Sequence, residues 1–300
     1  MKRSIFYYLS HPSYVFDVIL TRMSLKRAIQ KDWVRFGMDY PLNLDEPKTF
    51  CEKLNWLKLY NQNPLYHKLV DKFEVKEWVA KKIGEEHVVK TYGVYDSVDE
   101  VDIDKLPNQF VLKCTHNSGG FVVCKDKQEF DIAKAKQILR EAMKIDWYEQ
   151  AHEWAYKGVK PRLIAEEYID TLRKPETIEY KITCIDGKVK MITVCSGISH
   201  NDNDKRFNDH FDRDGNRLPF YVIYKPAGLE LPKKEILDEL IRISEILADG
   251  IPQVRVDLYI HKGQFYFGEM TFYTWAGYMN YVPKEWDRIM GDWLTLPKKY

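Results

Sequence analysis

Apolar positions repeat at helical spacing up to about residue 84 and at strand spacing over much of the remaining chain. Residues 14–60 read as helical. Thr49 and Glu52 make a capping box, after which Phe50, Leu54, Leu57 and Tyr60 (or Trp56) share a face. Leu65, Leu69, Phe73, Trp78 and Ile83 continue a second helix, which Gly84 is placed to stop. Short β-rich runs then occur at 87–90, 109–113, 121–124 and 162–169. One helix over 131–150 separates them, with Ile132, Ala135, Leu139, Ala142 and Met143 on one face. Runs at 178–185 and 188–195 flank Asp186-Gly187, a strong hairpin signal. A helix at 232–249 leads to a last hairpin over 252–270 and a Trp/Tyr-rich tail. Residues 196–219 are polar, rich in Asn, Asp and Arg, and without period; a stretch of that length is a lid, a binding loop or disordered. The pattern is that of an α+β (or α/β) enzyme of several small lobes.

A chain of 300 residues exceeds one compact core, so two or three lobes are expected. A net charge of +1 provides no global field, and nucleic acid is not an expected partner. Aromatic residues, 14% of the chain, favour well-filled cores or ring-lined clefts. Cys51, Cys114, Cys124, Cys184 and Cys195 form no CxxC pair and no zinc spacing, so they read as buried reduced thiols of a cytoplasmic protein. The start, Met1-Lys2-Arg3 followed by a short apolar run, imitates a signal peptide, but Ser10-His11-Pro12-Ser13 ends that run too early. No stretch approaches the length of a membrane span. Residues 1–20 could rest on the inner face of a membrane, although a helix packed on the body of the protein is the simpler expectation.

The last hairpin carries the candidate chemistry. In Val254-Arg255-Val256-Asp257-Leu258-Tyr259-Ile260, alternation puts the apolar residues on one face and Arg255 and Asp257 on the other. After His261-Lys262-Gly263 the chain returns through Glu269 to Thr271. A two-residue or four-residue loop pairs Asp257 with Gly268 and turns Glu269 away. A three-residue loop with Gly263 in the left-handed position pairs Arg255 with Glu269. The glycine supports the second register, in which Arg255, Asp257, Glu269 and Thr271 share a face. An Asp and a Glu close together suit magnesium, which takes hard oxygen ligands. An arginine beside them suits a phosphoryl group in transfer. Taken alone, the same residues also describe a solvated edge with a cross-strand Arg–Glu ion pair.

A second candidate lies upstream. Phe110-Val111-Leu112-Lys113 reads as a strand ending in lysine, and Cys114-Thr115-His116-Asn117-Ser118-Gly119-Gly120 joins it to Phe121-Val122-Val123. Small residues between strands let backbone N–H groups approach a phosphate, and the lysine adds a point charge. No Gly-Lys-Ser/Thr opens a helix, so this is not a Walker A loop. An ordinary hairpin turn has the same composition.

In this order, these blocks resemble the TupA-like ATP-grasp family of bacterial cell-surface polysaccharide loci. The resemblance runs from about Leu44 to the late 270s and begins with Asn43-Leu44-Asp45-Glu46-Pro47-Lys48-Thr49-Phe50 and Trp56-Leu57-Lys58-Leu59-Tyr60. It implies an ATP-grasp fold, two α+β lobes clamping ATP after a short helical region. The divisions are 1–70 for that region, 71–165 for the first lobe and 166–300 for the second. It implies Lys72 and Lys113 as nucleotide lysines and Ser118, Gly119 and Gly120 as the loop closing over the phosphates. Glu166, Glu167, Tyr168 and Ile169 become the adenine hinge, Glu179 the ribose carboxylate with Lys181 beside it, and Arg255 the phosphate arginine. Asp257 and Glu269 become magnesium ligands. Thr271 stands where the family usually has an asparagine, a departure at the second metal.

The resemblance further implies a carboxylate–amine ligase using ATP and Mg2+ through an acyl phosphate, with Arg255 and Lys113 stabilising the transfer. The substrates would be an acidic small molecule or glycan, such as a uronic acid, and an amino-acid or amino-sugar amine. Arg206, Arg213 and Arg217 (with Lys205) offer a grip for the acid, although Asp202, Asp204, Asp209, Asp212 and Asp214 balance them. Two other readings remain. Asp102-Ile103-Asp104 and Asp202-Asn203-Asp204 imitate the Asp-x-Asp motif of nucleotide-sugar glycosyltransferases, and an inert nucleotide-binding module would keep the same fold.

Overall fold

The computed structural model describes residues 24–169, 177–197 and 203–299. Its N-terminal part holds helices α1 (Leu25–Arg35), α2 (Phe50–Tyr60), α3 (Leu65–Val70) and α4 (Glu74–Ile83). The capping box forms: the Thr49 hydroxyl accepts from the Glu52 amide at 3.2 Å, and the Glu52 carboxylate accepts from the Thr49 amide at 3.0 Å. The helical stretch expected over 14–60 is interrupted, however. Residues 36–49 are irregular, because Gly37 turns the chain at a φ of 72° and Asn43 Oδ1 draws in the amides of Asp45 and Glu46. Residues 14–23 lie outside the described residues. The second expected helix is also two. Asp71 accepts from the amides of Phe73 and Glu74 at 2.8 and 2.9 Å and so starts α4 afresh.

A first antiparallel sheet comes next, in the order β1-β4-β2-β3. It comprises β1 (Thr91–Tyr95), β2 (Phe110–Cys114), β3 (Phe121–Cys124) and β4 (Leu163–Glu167). The strand expected at 87–90 begins only at Thr91, since His87 closes a 3-10 turn and its ring bonds the Phe265 carbonyl at 3.0 Å. Helix α5 (Ile132–Met143) covers this sheet through Ala135, Leu139 and Ala142. It stops well short of residue 150, where the Asn117 amide donates to the Ala142 carbonyl at 2.8 Å, and a single turn α6 (Tyr148–Ala151) succeeds it.

The second sheet runs β10-β9-β5-β6-β7-β8. Strands β5 (Glu179–Ile185) and β6 (Lys188–Ser196) meet at the expected Asp186-Gly187 turn, with both φ values positive (50° and 70°). Within the stretch expected as a loop the chain instead adds β7 (Phe207–Asp212) and β8 (Arg217–Leu218). Two adjacent polar residues of β7, Asp209 and His210, are buried with partners, which is why no alternation is visible. Asp209 accepts from Arg217 at 2.5 Å and from the amides of Ala227 and Leu229 at 2.9 and 3.0 Å, and the His210 ring bonds Thr193 at 2.9 Å. Helix α7 (Lys234–Ala248) packs on β5, β6 and β9 (Gln253–His261), and β10 (Gln264–Thr271) closes the edge.

The N-terminal helices have no core of their own among the described residues. Trp33, Phe50, Leu54, Leu69, Val75 and Val79 belong to the cluster built on the second sheet. Helix α8 (Glu285–Trp293) locks them there: Asp287 accepts from the Cys51 amide at 2.9 Å and from the Tyr40 hydroxyl at 2.5 Å. Helix α4, expected in the first lobe, therefore packs with the second. All five cysteines are buried and free. No helix of the described residues is long and apolar enough to cross a membrane.

Candidate active site

Strands β9 and β10 bring the carboxylates together by a route that the sequence pattern does not reveal. The turn has two residues, Lys262 and Gly263, both at positive φ (51° and 80°), with Gln264 opposite His261. That register alone would face Asp257 with Gly268. A bulge at Gly268 restores the match, so Glu269 stands opposite Asp257 and Thr271 opposite Arg255. The expected three-residue loop and the Arg255–Glu269 pairing are thus corrected, while the shared face survives. A bulge needs a small residue here: a Cβ on Gly268 would lie 2.6 Å from the Tyr259 ring and 3.0 Å from the Asp257 carbonyl.

Charge on this face is dense. Arg255 donates to both oxygens of Asp257, at 2.6 and 2.7 Å, and reaches Glu269 Oε1 at 3.2 Å. Lys181, on the neighbouring β5, donates to Asp257 Oδ2 at 2.7 Å and pairs with Glu179 at 2.9 Å. Thr271 donates to Glu269 Oε1 at 3.2 Å. Burial pushes the Asp257 carboxyl up, but Arg255 and Lys181 more than offset it and hold it below the usual carboxylate range. Conversely, burial works against the charge on Arg255 and Lys181, yet the surrounding carboxylates raise both above their ordinary values. The Asp257 side chain is 1% exposed and the Glu269 side chain 42%, so Glu269 is the open member of the pair.

The first sheet contributes lysines. Lys113, at the end of β2, and Lys76, on α4, both pair with the buried Glu166 of β4, Lys76 at 2.5 Å. Burial raises the Glu166 carboxyl, but the two lysines together hold it below its ordinary value. The loop after β2 is pinned from below: Thr115 donates to Asp71 at 2.8 Å, and Arg162 reaches the same carboxylate at 3.1 Å. Lys72 is half-buried and donates to the Asn117 carbonyl; burial lowers its pKa, with Glu269 opposing. Gly119 and Gly120 have φ values of 97° and 62°, and a Cβ on Gly120 would strike Ala142. Ser118 then faces a cavity of about 810 Å³ whose wall also holds Lys181, Arg255, Glu269 and Thr271. Trp147, Tyr156 and Arg206 line the same cavity.

A model of the TupA-like ATP-grasp proteins matches residues 52–295. The chain belongs to the TupA-like ATP-grasp family. No curated protein matches its sequence. Solved structures it is similar to include a D-alanine–D-alanine ligase from Bacillus anthracis complexed with ATP, at 16% identity, 68% of this chain, 55% of that one and a TM-score of 0.40. An L-amino acid ligase from Bacillus licheniformis is 16% identical over 83% of this chain and 54% of that one, with a TM-score of 0.44. The chain spans little more than half the length of these two proteins.

The segment expected as the adenine hinge, residues 166–169, begins within β4 and runs past its end. The Glu167 amide donates to the Lys90 carbonyl at 2.9 Å, and Tyr168 and Ile169 are buried. Glu166 serves by its side chain, as the partner of two lysines. Glu179 is buried beside Lys181 and the Tyr259 hydroxyl. Lys72, Lys113, Glu179 and the hinge lie outside the lining of the large cavity. Of the three arginines assigned to an acidic substrate, only Arg206 lines that cavity, where it donates to the Tyr224 hydroxyl at 3.2 Å. Arg213 pairs with Glu245 at 3.1 Å, and Arg217 with Asp209 and Glu230 at 2.5 and 2.7 Å; both are structural in this fold. Asp102 caps a short turn, accepting from the Asp104 amide at 3.1 Å and pairing with Lys105 at 3.2 Å, so the first Asp-x-Asp is a turn motif. Asp202 of the second lies outside the described residues.

Two residues of this constellation have no place in the sequence expectations. Lys76 comes one helical turn after Lys72, a spacing that could have flagged it. Glu153, buried in the wall of the large cavity, belongs to no motif at all.

Proposed function

We propose that this ATP-grasp chain is an ATP- and magnesium-dependent carboxylate–amine ligase. Its setting would be the cytoplasmic side of surface or capsular polysaccharide synthesis, joining an acidic sugar carboxylate to an amino-acid or amino-sugar amine. The observation that carries the reading is the cavity wall on which Ser118, Lys181, Arg255 and Glu269 converge while Arg255 bridges Asp257 and Glu269. Two carboxylates that converge on a guanidinium converge on a point that favours a cation, and hard oxygens suit magnesium. The donor set fits: Glu269, the open carboxylate, and Asp257, in exchange for its present contacts to Arg255, would hold it, with the Thr271 hydroxyl beside them. Bound there, magnesium would neutralise charge on the β- and γ-phosphates during transfer.

The chain's own residues do the rest. Lys113 offers positive charge from the first sheet and Lys72 from the segment between α3 and α4, and the amides of the Ser118–Gly120 turn can close on phosphate oxygens. Arg255 is already desolvated, so its charge acts strongly on a developing phosphoryl charge. Closure of the Ser118–Gly120 turn over the phosphates would keep out water, which would hydrolyse an activated acyl group. Arg206, which also lines the cavity, would meet an acidic substrate.

A trapping assay tests this. With Mg-ATP, hydroxylamine and a panel of uronic acids and amino acids, at least one carboxylate gives hydroxamate and ADP in equal amounts. Turnover of a nucleotide sugar without ADP would sink the ligase reading, and ATP binding without any turnover would make the chain an inert module.

A further inference from the structure

Glu153 sits in the cavity wall and has no part in binding phosphate or metal. It precedes the 3-10 turn Trp154–Tyr156, is 6% exposed, and its carboxylate accepts from the Trp147 indole. The nearest opposite charge on α2 is Lys58, but its ammonium donates to the carbonyls of Ala151 and Ala276 at 2.9 and 2.6 Å and lies 4.4 Å from the centre of the Tyr278 ring. Arg255 and Glu269 act on the Glu153 charge from the same cavity wall, and the phenols of Tyr156, Tyr273 and Tyr278 lie within its electrostatic reach. Burial pushes its carboxyl up to about 7, with Lys58 opposing. The cavity wall also carries Arg35, Lys181, Arg206 and Arg255, and its other carboxylate, Glu269, is already engaged by Arg255 and Thr271; Glu153, a carboxylate among aromatic rings, is the complementary place for an ammonium group.

We propose that Glu153 binds the attacking amine and removes its proton, an inference that rests on the ligase reading. The ammonium nitrogen loses one proton to the Glu153 carboxylate, which frees its lone pair. That pair forms the C–N bond at the acyl carbon as the C–O bond to phosphate breaks, and phosphate leaves with the bonding electrons. The surplus proton on nitrogen passes to the departing phosphate, and Glu153 returns its own to solvent. A base at this position works in its ionised form, so amine transfer rises as pH climbs through about 7.

The test separates the two half-reactions in the full-length protein. Hydroxylamine is largely unprotonated at neutral pH and needs no base, whereas amino acids and amino sugars arrive as ammonium ions. The carboxylate that gives hydroxamate is combined with an amine panel, and wild type is compared with Glu153→Gln across pH. Glutamine keeps an acceptor for Trp147. The expected result is hydroxamate within about threefold of wild type, amide formation down about 100-fold at neutral pH, and recovery at high pH as the free amine accumulates. A parallel loss of hydroxamate and amide, or amide formation within threefold of wild type, overturns the inference. Absence of hydroxamate from the wild-type protein overturns the ligase reading, and this inference falls with it.

Discussion

Asp257 and Glu269 differ in their surroundings, and replacing each has a different effect. Asp257 is sealed between Arg255 and Lys181, so Asp257→Asn leaves two buried cations without their main counter-charge. The expected cost is about 3–5 kcal/mol, read as a lower melting temperature. Glu269 is half-open, so Glu269→Gln should leave the melting temperature nearly unchanged while ADP formation falls at least about 100-fold. ADP formation near the wild-type rate in Glu269→Gln would remove that residue from the site. At this scale the alternation of Arg255 and Asp257 was legible because it depends only on neighbours in sequence. Glu153 was not: its burial comes from α2 and the residues around Tyr273, far away along the chain.

The hairpin of β9 and β10 shows how a face can be inferred correctly from an incorrect register. The expected three-residue loop is in fact a two-residue turn, and the single extra residue lies at Gly268 instead. An insertion of one residue flips every later side chain, whether it falls in the turn or within the strand. Nothing in a lone glycine distinguishes a bulge from a close backbone approach, so its place could not be read. Gly268→Ala drives a methyl group into the Tyr259 ring and the Asp257 carbonyl. The expected outcome is a loss of ADP formation together with a lower melting temperature, measured on the purified variant. Activity and stability both at wild-type levels would mean that the bulge does not set the position of Glu269. The polar strand β7 was hidden for a related reason: its buried residues Asp209 and His210, on opposite faces, are satisfied by polar partners rather than being apolar.

Across the whole molecule, one core surrounds the first sheet and α5, and a larger one joins the second sheet to the helices at both ends of the chain. Lys113 and its partner Glu166 come from the first part, and Lys181, Arg255, Asp257 and Glu269 from the second, with Ser118 lining the same cavity as Lys181, Arg255 and Glu269. The order of these elements was legible from the sequence, because short strands, turns and helices obey local periodicity. That the N-terminal helices share the second core was not, since the Tyr40–Asp287 and Cys51–Asp287 bonds span most of the chain. The central claim is that a substrate carboxylate attacks the γ-phosphorus of ATP. The direct measurement uses the carboxylate that yields hydroxamate, labelled with oxygen-18 in its carboxyl group, under single turnover with Mg-ATP and amine. One labelled oxygen in each phosphate released is the predicted result; unlabelled phosphate, or pyrophosphate in place of phosphate, would contradict it.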